Sequence, residues 1–171
     1  MDFIGVQNYT REIVAFSPFT PLIWAKVINA EQRNVETTLM NWEVYPESIY
    51  EMLLRFSKYK NFKEIIVTEN GAAFPDVVMN GKVNDHQRIN YLEQNILQVL
   101  RAKQYGVNVN GYFVWSLTDN FEWAEGYKPR FGLVHIDFDT QKRIIKDSGY
   151  WYSKFIKSNS FPNLIIQDSP I

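Results

Sequence analysis

One candidate for chemistry is a carboxylate at the end of an apolar run. Segment 64–68 leads into Glu69, and Asn70-Gly71 then turns the chain. A glutamate at the exit of a buried strand has a rigid backbone and a low-dielectric surrounding. Both suit a nucleophile that attacks the anomeric carbon of a sugar. The alternative is a surface glutamate that begins a loop.

A second candidate is the segment from Trp115 to Tyr127, which holds four aromatic and three acidic residues. Trp115 can form a platform for a sugar ring, because flat rings stack on the C–H faces of pyranoses. Glu122 can accept hydrogen bonds from two neighbouring hydroxyls, and Trp123 can donate one from its indole. The alternative is an aromatic plug that closes one end of the fold.

The elements that must position these residues alternate between strand and helix. Apolar runs predict strands over 2–9, 64–69 and 111–116. Helical spacing predicts helices over about 46–56, 85–106 and 148–156, with Asp85 as N-cap and Gly106 at the C-cap of the second. The strand at 64–69 is predicted to be buried on both faces of a parallel sheet. Breakers at Pro18 and Pro21 make 11–42 a loop with little regular structure, and 131–138 is expected to be extended.

This order predicts an α/β fold with parallel strands. Three units are too few for a closed barrel of eight, although they could form a small open sheet. Polar residues collect where all three strands end, which is where a (β/α) barrel places its active site. We therefore predict one partial barrel domain over 1–158 and a loosely ordered tail over 159–171.

Composition excludes several classes. The 171 residues carry a net charge of −1, so neither nucleic acid nor an anionic membrane is an expected partner. Without cysteine, a basic leader or a long apolar run, we expect a cytoplasmic protein. His86 and His135 lack partners at metal spacing, so no metal site is expected. The basic residues at 142, 143 and 146 are interpreted as a solvated face, and three tryptophans as packing residues: Trp24, Trp42 and Trp151.

Several motifs in register resemble glycoside hydrolase family 1, the family of retaining β-glycosidases such as β-glucosidases. They are the DFIG opening, Trp42-Glu43-Val44-Tyr45-Pro46, the ITENG-like stretch at 66–71, the WSL-DNFEWA-GY loop, RFGLVHID at 130–137 and KDS at 146–148. The match runs from about Asp2 to Phe155. It implies the C-terminal portion of a (β/α)8 TIM barrel, strands six to eight with their helices, which is incomplete as a single chain.

The resemblance also implies roles for individual residues. Glu69 matches the catalytic nucleophile, and Tyr9 the tyrosine that holds it by a hydrogen bond. Five residues match sugar-binding positions: Gln7, Trp115, Glu122, Trp123 and Phe131. Gln7 is a departure, because the family usually has asparagine there. Neither a metal nor an organic cofactor is implied.

The family's acid/base glutamate lies in an Asn-Glu-Pro motif, and no Asn-Glu pair occurs in this sequence. Retaining hydrolysis needs two carboxyl groups, so we expect little or no activity from this polypeptide alone. Its partners would be a β-linked glycoside and the missing N-terminal barrel half. The alternatives are a non-catalytic or vestigial sugar-binding domain, and a half-barrel that self-associates through open sheet edges.

Overall fold

A computed structural model describes residues 1–158, which form nine strands and three α-helices. In chain order they are β1 (Phe3–Gln7), β2 (Val14–Phe16), β3 (Ala25–Val27), α1 (Glu47–Phe56), β4 (Glu64–Asn70), β5 (Val78–Met79), β6 (Lys82–Val83), α2 (His86–Gln104), β7 (Val109–Val114), β8 (Val134–Ile136), β9 (Arg143–Ile145) and α3 (Asp147–Ser158). Short 3-10 turns lie at Glu31–Arg33 and Trp123–Glu125.

The centre of the fold is a three-stranded parallel sheet in the order β1-β4-β7. Val6 pairs with Val67, which pairs with Tyr112. The three predicted strands and their parallel direction are therefore confirmed. Because the strands are parallel, their C-terminal ends meet at one edge, where Gln7 lies opposite Glu69 in the ladder.

One face of this sheet is packed against helices α1 and α2. Ile49 and Leu53 of α1 and Val99 of α2 join Val67 and Val109 in one buried cluster. Each such side chain contributes about 1.5–3 kcal/mol by leaving water. The predicted second helix ends as expected, with Gly106 at a positive φ of 86°.

The opposite face of the sheet is only partly covered within residues 1–158. Ile65 and Val67 are buried, but Ile66 and Thr68 are half-buried, and Phe113 is exposed. The prediction that β4 is buried on both faces is therefore wrong for this part of the chain. Its continuous apolar character still suits a strand whose second face is covered by further structure.

Segment 11–42 is more regular than predicted. Strands β2 and β3 form an antiparallel hairpin, on which the rings of Phe16 and Trp24 stack at 6.4 Å between centroids. Pro18 and Pro21 interrupt only the tip, because apolar and β-branched residues on either side still pair. Trp24 packs on Phe16, although more than half of its surface is exposed.

The chain after β7 forms the antiparallel hairpin β8–β9 and then α3. The extended segment predicted near 131–138 is confirmed as β8, while its partner β9 was not predicted. The predicted tail over 159–171 lies outside the described residues. None of the described helices has the length and apolar character needed to cross a membrane.

Candidate active site

The end of β4 and the segment after β1 bring a carboxylate and a phenol into contact. The hydroxyl of Tyr9 donates a hydrogen bond of 2.6 Å to Oε2 of Glu69. This is the length expected for a hydroxyl bound to a charged carboxylate. Since Oε2 is held by the phenol, Oε1 is the oxygen of Glu69 left for another partner. The contact expected from the resemblance is present, and the catalytic roles of both residues stay predictions.

The phenol of Tyr9 acts as the donor because its proton is held strongly. Burial raises the pKa of Tyr9 well above its usual value, and the hydrogen bond to Glu69 raises it further. The negative charge of Glu122 also raises the pKa of Tyr9. The phenol of Tyr9 therefore keeps its proton at neutral pH.

Three aromatic rings form a wall beside this pair. The ring centroid of Tyr9 lies 5.3 Å from that of Trp42 and 6.3 Å from that of Phe131. Trp42 and Phe131 are 6.1 Å apart. Phe131 is buried, so it supports the wall from behind. Trp42 was predicted to be a packing residue, and its contacts with the rings of Tyr9 and Phe131 agree with that prediction.

Trp115 and Glu122 lie together, and their sugar-binding roles stay predictions. The indole Nε1 of Trp115 donates to Oε2 of Glu122 over 3.4 Å. The backbone of Trp115 is tied to β4, because its N–H donates to the carbonyl of Asn70 at 2.9 Å. The peptide bond from Trp115 to Ser116 is cis. A Cβ on Gly71 would come within 1.8 Å of the Trp115 carbonyl oxygen, so only glycine fits there.

The two other predicted residues are less constrained. Gln7 stands opposite Glu69 at the end of β1 with an exposed side chain. Trp123 begins the second 3-10 turn and is 81% exposed. The structure thus places five of the seven predicted residues in two contacting groups, Tyr9 with Glu69 and Phe131, and Trp115 with Glu122, which the backbone bond from Trp115 to Asn70 joins. Gln7 adjoins them at the strand end, whereas the indole of Trp123 stands in solvent.

A buried network of charges anchors the aromatic loop. Nζ of Lys146 contacts the carboxylates of Asp76 and Asp119, and Asp119 also accepts from Arg130 at 3.2 Å and from the N–H of Gly132 at 2.9 Å. Lys146 is fully buried, so its assignment to a solvated face is wrong. Burial and the nearby Arg88 lower the pKa of Lys146, while the two aspartates oppose that shift.

Asp85 lies at the N-cap position of α2, as predicted, but its side chain binds elsewhere. Its side chain makes no capping hydrogen bond to α2. Instead Oδ1 accepts from the N–H of Ser148 at 2.8 Å, and Oδ2 contacts Arg88 and the hydroxyl of Ser148. Asp85 therefore joins the start of α2 to the start of α3, because a buried carboxylate is stabilised most by a charged partner and several donors.

Asp76, Asp119 and His135 bring three possible ligand atoms within 4.8 Å of one another. The ammonium group of Lys146 already lies between the two carboxylates. The pKa of His135 is lowered, chiefly by burial. Because a lysine supplies the positive charge that a metal would bring, we assign this cluster to structure.

A second buried ion pair supports the wall from the side of β2 and β3. Glu43, next to Trp42, accepts from Arg11 at 3.0 and 3.1 Å and from Arg33 at 2.8 Å. Hydrogen bonds from Arg11 and then Arg33 lower the pKa of Glu43 to about 2. A cavity of about 320 Å³ lies over this cluster and includes Trp42 in its lining. The sequence carries no local sign of it, since the partners are distant in the chain.

Comparison with known proteins gives a consistent result. The sequence model of "Glycosyl hydrolase family 1" matches residues 1–161. The chain is 54% identical over 160 residues to the "1,4-beta-D-glucan glucohydrolase" of Thermotoga neapolitana, covering 93% of this chain and 35% of that protein. It is 45% identical over 121 residues to the "6-phospho-beta-galactosidase" of Clostridium acetobutylicum, covering 70% of this chain and 26% of that protein.

Solved structures agree with the sequence comparison. The family 1 β-glucosidase from Thermotoga maritima superposes with a TM-score of 0.90 and 48% identity, covering 95% of this chain and 36% of that one. The described fold thus corresponds to part of that enzyme's barrel. The chain spans about a third of the length of the relatives it matches.

Proposed function

Because the chain belongs to glycosyl hydrolase family 1, we propose that it supplies the nucleophile and the sugar-binding loop of a retaining β-glycosidase. The observation that carries this proposal is the 2.6 Å hydrogen bond from Tyr9 to Glu69 at the shared end of parallel strands. In this proposal β1, β4 and β7 are strands six to eight of the barrel, and the other strands come from the part of the family fold that this chain does not match.

The proposed reaction uses Glu69 twice. A carboxylate oxygen of Glu69 attacks the anomeric carbon while the bond to the aglycone oxygen breaks, and the sugar becomes an ester of Glu69. Water then attacks the same carbon, which releases the sugar and restores the carboxylate. Tyr9 keeps Oε2 in place through a proton it does not lose at neutral pH. The free Oε1 is the attacking oxygen.

The charges around the pocket favour an uncharged sugar. Glu69 is bound by the Tyr9 phenol and Glu122 by the Trp115 indole, so a ligand that stacks on Trp115 and reaches Glu69 meets two carboxylates. A sugar phosphate would be repelled by both, whereas neutral hydroxyls can donate to Glu122. This supports a β-D-glucoside, or a related neutral β-glycoside, over a 6-phospho sugar. Trp115 would stack on the sugar, Phe131 would support the aromatic wall from behind, and Gln7 and Trp123 would contact sugar hydroxyls.

Protonation of the leaving group requires a second carboxyl group. In retaining enzymes the two groups lie about 5–5.5 Å apart, on opposite sides of the scissile bond. Glu122 does not suit that role, because its carboxylate accepts from the Trp115 indole that would lie under the sugar. We propose that the acid/base is supplied by the unmatched part of the family fold, and that residues 1–171 alone have little or no activity.

A chimera tests this proposal. The matched part of the Thermotoga neapolitana relative is replaced by residues 1–161 of this chain, and release of nitrophenol from an aryl β-glucoside is measured. We expect turnover by the chimera, at least ~10³ times slower turnover with Glu69→Gln, and almost none from the isolated chain. Glu64→Gln is the matched control, because Glu64 lies at the other end of the same strand.

Two results would contradict the proposal. A folded chimera that hydrolyses no β-glycoside would remove the assigned function. An isolated chain as fast as the chimera would show that the acid/base lies within residues 1–171. A 2-deoxy-2-fluoro glucoside provides a further check, since slow deglycosylation leaves the sugar attached. The labelled peptide must contain Glu69.

One observation favours a second role as an assembly module. Within residues 1–158, β1 and β7 are the edges of the sheet, and an apolar groove of about 570 Å³ adjoins β7. Exposed side chains in its lining include Phe113, Leu117 and Ile145. Open edges and apolar grooves invite pairing, either with the missing barrel half or with a second copy. Sedimentation equilibrium separates these outcomes: a monomer at every concentration counts against self-association.

A further inference from the structure

Behind Tyr9 and Glu69 lies a buried set of amide and phenol groups. The set consists of Asn70, Tyr91, Asn95 and Tyr112. Asn70 and Asn95 have almost no exposed surface, and Tyr91 is 3% exposed. Two of their side chains donate hydrogen bonds to the backbone of residues 8 and 9, the segment that carries the Tyr9 phenol.

Two side chains of this set donate to that segment, whereas Asn95 donates to the carbonyl of Tyr91. Nδ2 of Asn70 donates to the carbonyl of Asn8 at 2.7 Å, and the hydroxyl of Tyr91 donates to the carbonyl of Tyr9 at 2.9 Å. Tyr112 fixes the Asn70 amide by donating to its Oδ1 at 2.5 Å. Burial raises the pKa values of Tyr91 and Tyr112, so both phenols keep the protons they donate.

The strand ladder does not hold this segment by itself. The pairing of β1 with β4 shifts in register between Val6 and Gln7, and β1 ends at Gln7. After Gln7, one backbone hydrogen bond still joins this segment to β4, from the N–H of Asn8 to the carbonyl of Glu69 at 3.2 Å. The two carbonyls that follow are bound by Asn70 and Tyr91. Two buried side chains thus replace the ladder where the phenol leaves the strand.

We infer that Asn70 and Tyr91 are positioning residues that set the Tyr9 phenol against Glu69 by binding the carbonyls of Asn8 and Tyr9. This inference rests on the proposed function for its catalytic meaning. Loss of either donor leaves a buried carbonyl without its partner, so the segment must shift to reach water or another donor. A shift of about 1 Å suffices to break a 2.6 Å hydrogen bond.

The test reads the Tyr9 phenol directly. The chain is made with tyrosine labelled with ¹³C at Cζ, and Tyr9→Phe identifies the Tyr9 signal. In the unmodified chain this signal should titrate above the usual range of a tyrosine, because burial and the hydrogen bond to Glu69 raise the pKa of Tyr9. Tyr91→Phe should lower the midpoint for Tyr9 by about one pH unit or more, because the bond to Glu69 weakens. Tyr152→Phe is the matched control, since Tyr152 is half-buried and within residues 1–158 its hydroxyl makes one hydrogen bond, to the carbonyl of Tyr112 over 3.4 Å.

Tyr91→Phe and Tyr152→Phe are also placed in the chimera. There Tyr91→Phe should lower kcat about tenfold with KM changed less than about twofold. If Tyr91→Phe does not fold, Asn70→Ser takes its place. The measurement is then the ¹³C chemical shift of Tyr9 Cζ at neutral pH, which should differ from that of the unmodified chain. An unchanged Tyr9 signal in a folded Tyr91→Phe chain would overturn the inference. The titration needs no turnover, so an inactive chimera would count against the proposed function alone.

Discussion

Gly71 offers a sharp test of how the sugar-binding loop is held. A Cβ at this position would lie 1.8 Å from the carbonyl oxygen of Trp115 and 2.8 Å from its carbonyl carbon. Both atoms are backbone, so no side-chain rotation can relieve the contact. Restoring ordinary separation moves the Trp115 carbonyl by roughly 1.5 Å, since carbon and oxygen do not approach much closer than about 3.4 Å.

The cost of Gly71→Ala follows from two effects. Overpacking in a well-packed region costs about 1–3 kcal/mol, and a rigid neighbour places this site at the upper end. The displacement also stretches the 2.9 Å hydrogen bond from the Trp115 N–H to the Asn70 carbonyl, which is worth about 1 kcal/mol. We therefore expect a loss of about 3–4 kcal/mol in the free energy of unfolding.

Urea unfolding followed by tryptophan fluorescence measures this loss, and near-ultraviolet circular dichroism reports the surroundings of Trp115. The control is Gly81→Ala, because Gly81 has a φ of 74° but no atom within 4 Å of the added Cβ. That variant should lose only about 1 kcal/mol, from backbone strain. If Gly71→Ala is no less stable than Gly81→Ala, the close approach of the two backbones is not what holds Trp115.

Three further predictions concern charges and the site. Lys146→Met should lower the free energy of unfolding by about 3–5 kcal/mol in urea, since it leaves Asp76 and Asp119 buried without their ammonium partner; a smaller loss than for Lys142→Met would contradict this. Glu43, whose pKa of about 2 is below its ordinary 4.5, stabilises the fold fully above pH 4.5, and that contribution should disappear as the pH falls to about 2. Glu43→Gln should flatten this acid dependence of the urea midpoint. Tyr9→Phe in the chimera should lower kcat about 10–100-fold, and an unchanged kcat would exclude a role in holding Glu69.

The sheet could be predicted because its signals are local. Apolar runs that end in polar residues mark β1, β4 and β7, and helical spacing marks α1 and α2. The hairpins were harder, because strands of two or three residues carry too little pattern to separate them from loop. Coverage of the second sheet face was also missed. The continuous apolar character of β4 predicts that both of its faces are covered, but the structure that would cover the second face is not among residues 1–158.

The candidate site divides in the same way. Tyr9, Glu69, Trp115 and Glu122 were found through motifs, and spacing alone left Glu69 open to a surface interpretation. Lys146 was assigned to solvent because a basic residue near others usually is exposed. Its carboxylate partners lie 27 and 70 positions earlier in the chain, and only the folded structure brings them together. Long-range ion pairs of this kind have no local signature.

The network around Asp119 has a consequence for enzyme engineering. It ties the segment carrying Trp115 and Glu122 to the loop after β4 through Asp76, and to the start of α3 through Lys146. If this segment is taken from a homologue, the residue that replaces Asp119 must fit the cations that are already in place. Exchange of substrate preference should therefore succeed most readily when Asp76, Asp119, Arg130 and Lys146 are transferred as one block.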